Sequence, residues 1–137
     1  MRHARFGAVH AGNTVFAFGA FLLFPSRRLL LKGDRRIHLG GRAFDLLTLL
    51  VEHAGEVVGK DDLIAHAWPK VFVEHTNLKT QLCGLRRALE DNQDGVEFIK
   101  TVAGRGYSFV APVNFFMLST NEPASLHDLN QQDRAAA

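Results

Sequence analysis

One predicted helix, covering residues 74–91, carries the polar side chains best suited to chemistry. Leucines at steps of four, three and four residues mark its apolar face: Leu78, Leu82, Leu85 and Leu89. With these leucines directed inward, the remaining surface and its flanks consist of Thr76, Asn77, Lys79, Thr80, Gln81, Cys83, Gly84, Arg86 and Arg87. Glutamine can pair with adenine, hydroxyl groups can reach base edges, and lysine or arginine can bind phosphate or guanine. This surface could therefore read duplex DNA, although a solvated polar face is the ordinary alternative.

Catalytic and metal chemistry has little support in the sequence. The chain has seven histidines and one cysteine, but no His-x-x-x-His or Cys-x-x-Cys pair that would hold an ion. His53, His66 and His75 fall on separate predicted elements. No nucleophile elbow, glycine-rich phosphate loop or paired-carboxylate arrangement is found. We therefore expect no enzymatic activity, no catalytic residue, no metal site and no cofactor.

The composition is typical of one soluble globular domain. The 137 residues are 47% hydrophobic and 22% charged, which is enough apolar material for a single core. A single cysteine excludes an internal disulfide and fits a reducing cytoplasm. The apolar runs are far shorter than the roughly 20 residues of a membrane span, and the basic start lacks a typical signal-peptide cleavage site. These features predict a cytoplasmic location and no membrane partner.

Positive charge is concentrated in the first 42 residues. The net charge of the chain is only +2, yet this segment holds eight lysines and arginines and one acid, Asp34. Such a surface could face phosphate groups, or it could be the solvated face of a sheet. Charge alone leaves both interpretations open.

The elements that would position the polar helix begin with strands. Residues 15–24, 28–32 and 35–39 are short and apolar-rich, and turn residues separate them. The Gly33-Asp34 pair is a good hairpin signal because both residues tolerate the positive φ that a two-residue turn requires. The segments predict an antiparallel sheet of three or four strands.

Helices and a second hairpin follow these strands. Apolar residues at helical spacing predict a first helix that ends at Gly55 and a second that stops at Pro69. After the leucine-striped third helix, residues 97–102 and 106–111 flank the turn Gly104-Arg105-Gly106 and predict a β-hairpin. The order of elements indicates an α+β fold: a winged helix-turn-helix with an N-terminal sheet, three helices and a C-terminal wing.

Three regions are expected along the chain. Residues 1–13 lack periodicity and predict a flexible lead-in, and residues 14–113 form the domain. Residues 114–137 are rich in polar residues and alanine and predict a flexible tail or linker. Within that tail, Phe115, Phe116 and Met117 could pack back on the domain.

Four motifs in order resemble the OmpR/PhoB-type winged-helix domain of response regulators, which also occurs in ToxR/CadC-like regulators. The motifs are Phe44-Asp45-Leu46-Leu47 with Gly55-Glu56-Val57-Val58, Leu63-Ile64 with Ala67-Trp68, Leu82 to Leu89, and Ile99 to Phe109. The resemblance covers about residues 15–113. It implies that Trp68, Tyr107 and Phe109 pack in the core.

The resemblance also implies a function and its site. The third helix would enter the major groove of double-stranded DNA, and the chain would regulate transcription in a two-component phosphorelay or similar pathway. Arg86, Arg87 and Thr101 would contact phosphates, and Arg105 at the wing tip could reach the minor groove. The loop before the third helix corresponds to one that contacts RNA polymerase in the family. Val71 and Phe72 are its candidate contacts, although at least one of the two is expected to be packed inside. A homodimer on tandem half-sites is a further implied arrangement.

This sequence departs from the family pattern at three positions. The family often has basic residues where this chain has Cys83, Gly84 and Ala103. The departure puts the DNA target in doubt and keeps an alternative open, which is a winged-helix protein-interaction module that has lost DNA affinity. The salt dependence of DNA binding would separate these hypotheses, because phosphate contacts weaken steeply as salt rises.

Overall fold

The computed structural model describes residues 13–118, which form two antiparallel sheets and three α-helices. The first sheet contains strands β1 (Thr14–Phe18), β2 (Phe21–Phe24), β3 (Leu29–Lys32), β4 (Arg35–Arg36) and β8 (Asn114–Met117), in the order β4-β3-β2-β1-β8. Helices α1 (Gly41–Glu52), α2 (Lys60–Ala67) and α3 (His75–Leu89) follow the first four strands. The second sheet has the order β5-β7-β6 and contains β5 (Val57–Gly59), β6 (Ile99–Val102) and β7 (Gly106–Phe109). The predicted α+β winged helix-turn-helix architecture is confirmed.

The predicted strand over residues 15–24 is two strands, β1 and β2, joined by a tight turn at Gly19 and Ala20. Gly19 adopts φ +55°, and an added Cβ atom would lie 3.3 Å from the Phe98 ring, so this corner favours glycine on both counts. The hairpin at Gly33 and Asp34 is found as expected between β3 and β4. Its second strand is only two residues long.

Strand β8 corrects the predicted end of the domain at residue 113. Asn114–Met117 pairs with β1 in antiparallel register, with Phe16 opposite Phe115, and completes the sheet on that side. The ring centres of these two residues are 6.3 Å apart, so the strand gains side-chain contact as well as backbone hydrogen bonds. The interpretation of residues 114–117 as a tail was therefore wrong. The predictions for residues 1–12 and 119–137 lie outside the described residues.

The core joins the two sheets to the helices. Helix α1 buries Phe44, Leu46, Leu47 and Leu50, each at most 4% exposed. Phe18 of β1 contacts Phe109 of β7 edge to face, with ring centres 4.9 Å apart. The β6–β7 hairpin is the wing of the fold. This aromatic contact connects the first sheet to the base of the wing. Among residues 13–118, no helix is long and apolar enough to cross a membrane.

Helices α2 and α3 form the helix-turn-helix. The four leucines of α3 are at most 1% exposed, which confirms the predicted helical register. At the end of α2, Trp68 is buried, and Arg42 donates a hydrogen bond from Nη1 to the Ala67 carbonyl oxygen at 2.7 Å. The Arg42 guanidinium also lies 5.7 Å from the centre of the Trp68 ring. These contacts fix the C-terminal end of α2, from which the chain turns towards α3.

The wing is held close to β5. Val58 pairs with Tyr107, and Gly59 pairs with Gly106. A Cβ atom on Gly106 would lie 2.0 Å from the Val58 carbonyl oxygen, so only glycine allows the two backbones to approach this closely. Tyr107 and Phe109 are buried, as expected.

Candidate nucleic-acid interface

The outer face of α3 is exposed and contains no acidic residue. Because the leucine stripe occupies the inner face, the polar side chains are left to solvent. The exposed ones are His75, Thr76, Asn77, Lys79, Thr80, Cys83 and Arg87, with Gly84 among them, and Gln81 is half-buried on the flank. The structure therefore brings most of the residues predicted from the leucine spacing onto one open surface.

The start of α3 and the tip of the wing lie on the same side of the molecule. A cleft of about 500 Å³ between them is lined by His75 at the first turn of α3 and by Gly104 and Arg105 of the wing turn. Its floor is formed by the start of α2, where Asp61 and Asp62 occupy the favourable acidic positions of a helix N-terminus. His75 Nε2 lies 3.2 Å from Asp61 Oδ1. The spacing of α3 gave no signal that His75 would lie opposite the wing turn.

Arg105 is the free cation of the wing tip. Its side chain is exposed and has no hydrogen bond or ion pair within residues 13–118. Lys100, which precedes Thr101 on β6, is also exposed and is a second cation of the wing. Lys100 was not among the candidate contacts predicted from the sequence. The segment Ile99-Lys100-Thr101-Val102 does not alternate between polar and apolar residues, so its pattern gave no signal for Lys100.

Arg86 does not belong to the open face. Its Nη2 donates to the Ile99 carbonyl oxygen at 3.0 Å and to Thr101 Oγ1 at 2.8 Å, both on β6. Its Nε lies 3.5 Å from Oδ2 of Asp91, whose side chain is 3% exposed. The guanidinium also lies 5.8 Å from the centre of the Tyr107 ring. Two residues predicted to contact phosphate, Arg86 and Thr101, are thus bonded to each other across the junction of helix and wing.

Arg87 behaves differently from its neighbour. It is exposed, and its Nη2 makes a weak hydrogen bond to Cys83 Sγ at 3.9 Å, within the same helix. Its charge therefore remains available to a ligand.

The loop between α2 and α3 exposes both of its predicted contact residues. Val71 is 57% exposed and Phe72 is 89% exposed, so the expectation that at least one would be packed inside was wrong. Lys70 has φ +65° and turns the chain outward, and Val73 packs against the core in their place. Phe72 is the most exposed large hydrophobic side chain in the described part of the molecule.

The cations of the first sheet fall into two groups. Arg28 and Lys32 tie the sheet to the helices: Arg28 Nη1 lies 2.8 Å from Asp45 Oδ1, and Lys32 Nζ lies 2.6 Å from Glu90 Oε1. The hydrogen bond and charge of Lys32 hold the pKa of the Glu90 carboxyl below its usual value. The side chains of Arg35 and Arg36 on β4 are exposed and form no hydrogen bond or ion pair among the described residues, although the charge of Arg35 also lowers the pKa of Glu90. The charges of Arg28 and Lys32 are therefore used within the fold. Arg35 and Arg36 lie on an exposed edge strand, and a phosphate-facing role for them stays a prediction.

A family comparison decides the class of this chain. The sequence pattern of the family described as "Transcriptional regulatory protein, C terminal" matches residues 34–109, which is more than half of the 137 residues. The chain belongs to this family. The matched segment of the regulatory domain runs from the β3–β4 turn to the end of β7, and so contains the helix-turn-helix and the wing.

Relatives of this regulatory domain include two transcriptional regulators of Escherichia coli. The transcriptional activator CadC of Escherichia coli is 32% identical over 113 residues, which are 82% of this chain and 22% of that protein. The transcriptional regulatory protein CpxR of Escherichia coli is 32% identical over 101 residues, or 73% of this chain and 44% of that protein. The chain therefore spans less than half the length of these relatives.

Solved structures of isolated domains match over nearly their whole length. The DNA-binding domain of Escherichia coli CadC superposes with a TM-score of 0.68 at 31% identity, covering 77% of this chain and 100% of that one. The DNA-binding domain of Klebsiella pneumoniae RstA, solved in complex with the RstA box, gives a TM-score of 0.61 at 28% identity, covering 70% of this chain and 96% of that one. The regulatory domain thus shares its fold and its OmpR/PhoB-type family with these proteins.

Proposed function

We propose that this chain binds double-stranded DNA in a sequence-specific manner and thereby regulates transcription. The observation that carries the proposal is the exposed, acid-free face of α3 beside the free Arg105 of the wing. A helix fits the major groove of B-DNA, and an arginine on a hairpin tip fits the narrower minor groove. The relative RstA was solved with the RstA box, which supports DNA as the ligand class here.

The residues of the face divide by chemistry. Thr80 and Gln81 carry groups that can hydrogen-bond to base edges, as do Thr76 and Asn77 nearer the start of α3. Lys79 and Arg87 supply charge for phosphates. Cys83 and Gly84 are small and allow the helix to approach the bases closely. No catalytic step is part of this function.

Further partners and the location also belong to the proposal. The exposed pair Val71 and Phe72 supports a protein contact at the loop before α3, for which RNA polymerase is the partner implied by the family. Binding as a homodimer on tandem half-sites is a further part of the hypothesis. A chain with this function would act where bacterial DNA is found, in the cytoplasm.

The direct test is a selection from random double-stranded oligonucleotides with the purified chain, followed by salt titration on the selected sequence. We expect a defined motif. We also expect the logarithm of the binding constant to fall linearly with the logarithm of the salt concentration, because phosphate binding releases counterions. Failure to enrich any motif, together with binding that does not respond to salt, would contradict the proposal. That outcome would favour the protein-interaction module, with the Phe72 loop as its contact surface.

Gln81→Ala tests base reading on α3. We expect the preference at one position of the motif to relax by roughly 1–3 kcal/mol, because one amide-to-base contact is lost. Thermal stability should hardly change, since Gln81 lies outside the leucine stripe. Repeating the selection with the variant gives the measurement, and an unaltered motif would show that Gln81 reads no base.

A further inference from the structure

The junction between α3 and the wing contains a chain of polar contacts that the proposed function does not require. Asp91, just after α3, accepts a hydrogen bond from the Phe98 backbone N–H at 2.6 Å and one from the Ile99 N–H at 3.3 Å. Its carboxylate also faces Arg86 Nε, as described above. The chain of contacts therefore runs from a buried acid through Arg86 to the hydroxyl group of Thr101.

We infer that Arg86 is a positioning residue: it holds β6 against α3 and orients the Thr101 hydroxyl group towards the DNA backbone. The inference rests on the proposed function, because it assigns how one of its phosphate contacts is prepared. It differs from the role expected from the sequence, in which Arg86 itself would contact phosphate.

The hydrogen-bonding capacity of Thr101 explains the orientation. A hydroxyl group has one hydrogen to donate and two lone pairs that accept. Because Thr101 Oγ1 accepts a hydrogen bond from Arg86, its own hydrogen is left for an acceptor elsewhere. Thr101 is exposed on β6, so a phosphate oxygen is a suitable acceptor.

The geometry needs arginine in particular. One guanidinium group reaches the Ile99 carbonyl oxygen, Thr101 and Asp91 at once and still lies near the Tyr107 ring. A lysine has the same charge but a single ammonium group on a flexible stem, so it cannot reproduce this planar set of donors. Arg87 lies next in the sequence and makes only a weak contact to Cys83, so Arg87→Lys is the matched control for the measurement without DNA.

The first experiment measures DNA affinity of charge-conserving variants. We expect Arg86→Lys to bind the selected DNA about tenfold more weakly, as for the loss of one charge-assisted hydrogen bond. In a Thr101→Val background the Arg86→Lys effect should shrink to about twofold or less, since coupled residues are not additive. Additive effects of the two substitutions would overturn the inference.

Asp91→Asn separates the two roles of Arg86 by the sign of its effect. The side chain of Asp91 is buried, so it is not itself a DNA contact. If Arg86 bound phosphate directly, releasing it from Asp91 would leave DNA affinity equal or higher. If Arg86 positions Thr101, the same change should lower affinity. Thermal unfolding of the variant without DNA shows whether a loss of affinity comes from unfolding. If it does, the comparison of Arg86→Lys in the wild-type and Thr101→Val backgrounds distinguishes the two roles instead.

A measurement without DNA distinguishes failure of the inference from failure of the proposed function. We expect backbone amides of Phe98 and of β6 to exchange hydrogen about tenfold faster in Arg86→Lys than in the wild type, with Arg87→Lys unchanged. Equal protection in all three proteins would overturn the inference even if the wild type binds DNA. A wild-type chain that selects no DNA motif contradicts the proposed function instead, and the exchange rates then still decide whether Arg86 holds the wing.

Discussion

Individual cations in this chain are either engaged in the fold or available to a ligand, and net charge does not separate the two kinds. Arg86 and Lys32 connect elements that are far apart in sequence, since Lys32 reaches Glu90 across 58 positions. Lys79, Arg87 and Arg105 remain exposed on the side of α3 and the wing. A modest net charge of +2 can therefore accompany a locally positive surface.

Arg105→Ala tests the cation at the wing tip. We expect weaker binding chiefly to sites with an A·T-rich flank, because a narrow minor groove has an enhanced negative potential. The dependence of affinity on salt should fall by about one phosphate-equivalent contact. The fold should be unaffected, since Arg105 has no side-chain partner in the described residues. Paired salt titrations on two flank sequences give the measurement, and identical slopes for variant and wild type would rule out a DNA contact.

Glu90→Gln tests the ion pair between β3 and the end of α3. Lys32 lowers the pKa of Glu90 in the folded chain, so the ionised carboxylate stabilises the fold at pH values above the unfolded pKa of about 4.3. That contribution is lost as the pH falls through the lowered folded pKa. We expect wild type to be more stable than the variant at pH 7, and the difference to disappear in acid.

The measurement for this pair is chemical unfolding at a series of pH values. Lys32→Met serves as the control, because it removes the largest cause of the lowered pKa while leaving Glu90 and the weaker contribution of Arg35 in place. The pH-dependent effect of Glu90→Gln should then be much smaller in that background. Parallel pH profiles for wild type and Glu90→Gln would contradict the prediction.

The sequence identified the polar face of α3 but not the role of each residue on it. Leucine spacing places Gln81 and Arg87 correctly because helical geometry is local. The role of Arg86 depends on Ile99 and Thr101, which follow 13 and 15 positions later and meet it only when the wing folds back. Val71 and Phe72 were misjudged for a related reason, since hydrophobic type suggests burial but the backbone turn at Lys70 decides it.

At the scale of elements, α3 contains one residue that weakens it. Gly84 lies inside the helix, and an added Cβ atom there would meet nothing within 4 Å. Glycine in a helix interior is about 1 kcal/mol less favourable than alanine. The helix thus retains a stability cost at an exposed position of the candidate DNA face.

Gly84→Ala should therefore raise stability and lower DNA affinity. We expect a gain of about 0.5–1 kcal/mol in the free energy of unfolding, from helix propensity alone. The added methyl group should weaken DNA binding if the helix backbone lies against the bases at this point. Cys83→Ala is the control, because it shortens an exposed neighbour without adding volume. Wild-type affinity in a stabilised Gly84→Ala variant would show that no close approach occurs there.

Helices were easier to predict than strands for a physical reason. The stripes of α1 and α3 repeat over several turns, so an error at one position does not hide the pattern. The β1–β2 turn at Gly19 lies between phenylalanines and lacks the Asn, Asp or Pro residues that usually indicate a turn. Strand β8 is four residues long, and its apolar residues Phe115, Phe116 and Met117 lack the alternation that indicates a strand, so its pairing with β1 could not be predicted.

At the scale of the whole molecule, the chain closes its first sheet with residues from both ends of the domain. Strand β8 lies beside β1, and the Leu118 backbone N–H donates to the Asn13 carbonyl oxygen at 2.9 Å. The two ends of the described chain are therefore held together, which local sequence patterns cannot reveal.

Truncation after Val113 should destabilise the domain relative to truncation after Leu118. The shorter chain loses four cross-strand pairs with β1, each worth roughly 0.2–1 kcal/mol, so we expect a loss of about 1–4 kcal/mol in unfolding free energy. Urea denaturation of the two chains, compared side by side, gives the measurement. DNA affinity at low temperature serves as the control and should be similar, since α3 and the wing are present in both. Equal midpoints would mean that β8 contributes no net stability.

The contacts between α3 and β6 also determine which spacings in a binding site the chain can accept. If helix and wing move as one unit, the distance from Gln81 to Arg105 is fixed before binding. B-DNA advances about 3.4 Å per base pair and turns once in roughly 10 base pairs. One inserted base pair between the major-groove and minor-groove segments would shift the second segment along the axis and rotate it by about a tenth of a turn. A protein with such a fixed separation measures length as well as sequence, and favours sites whose two segments keep a constant interval.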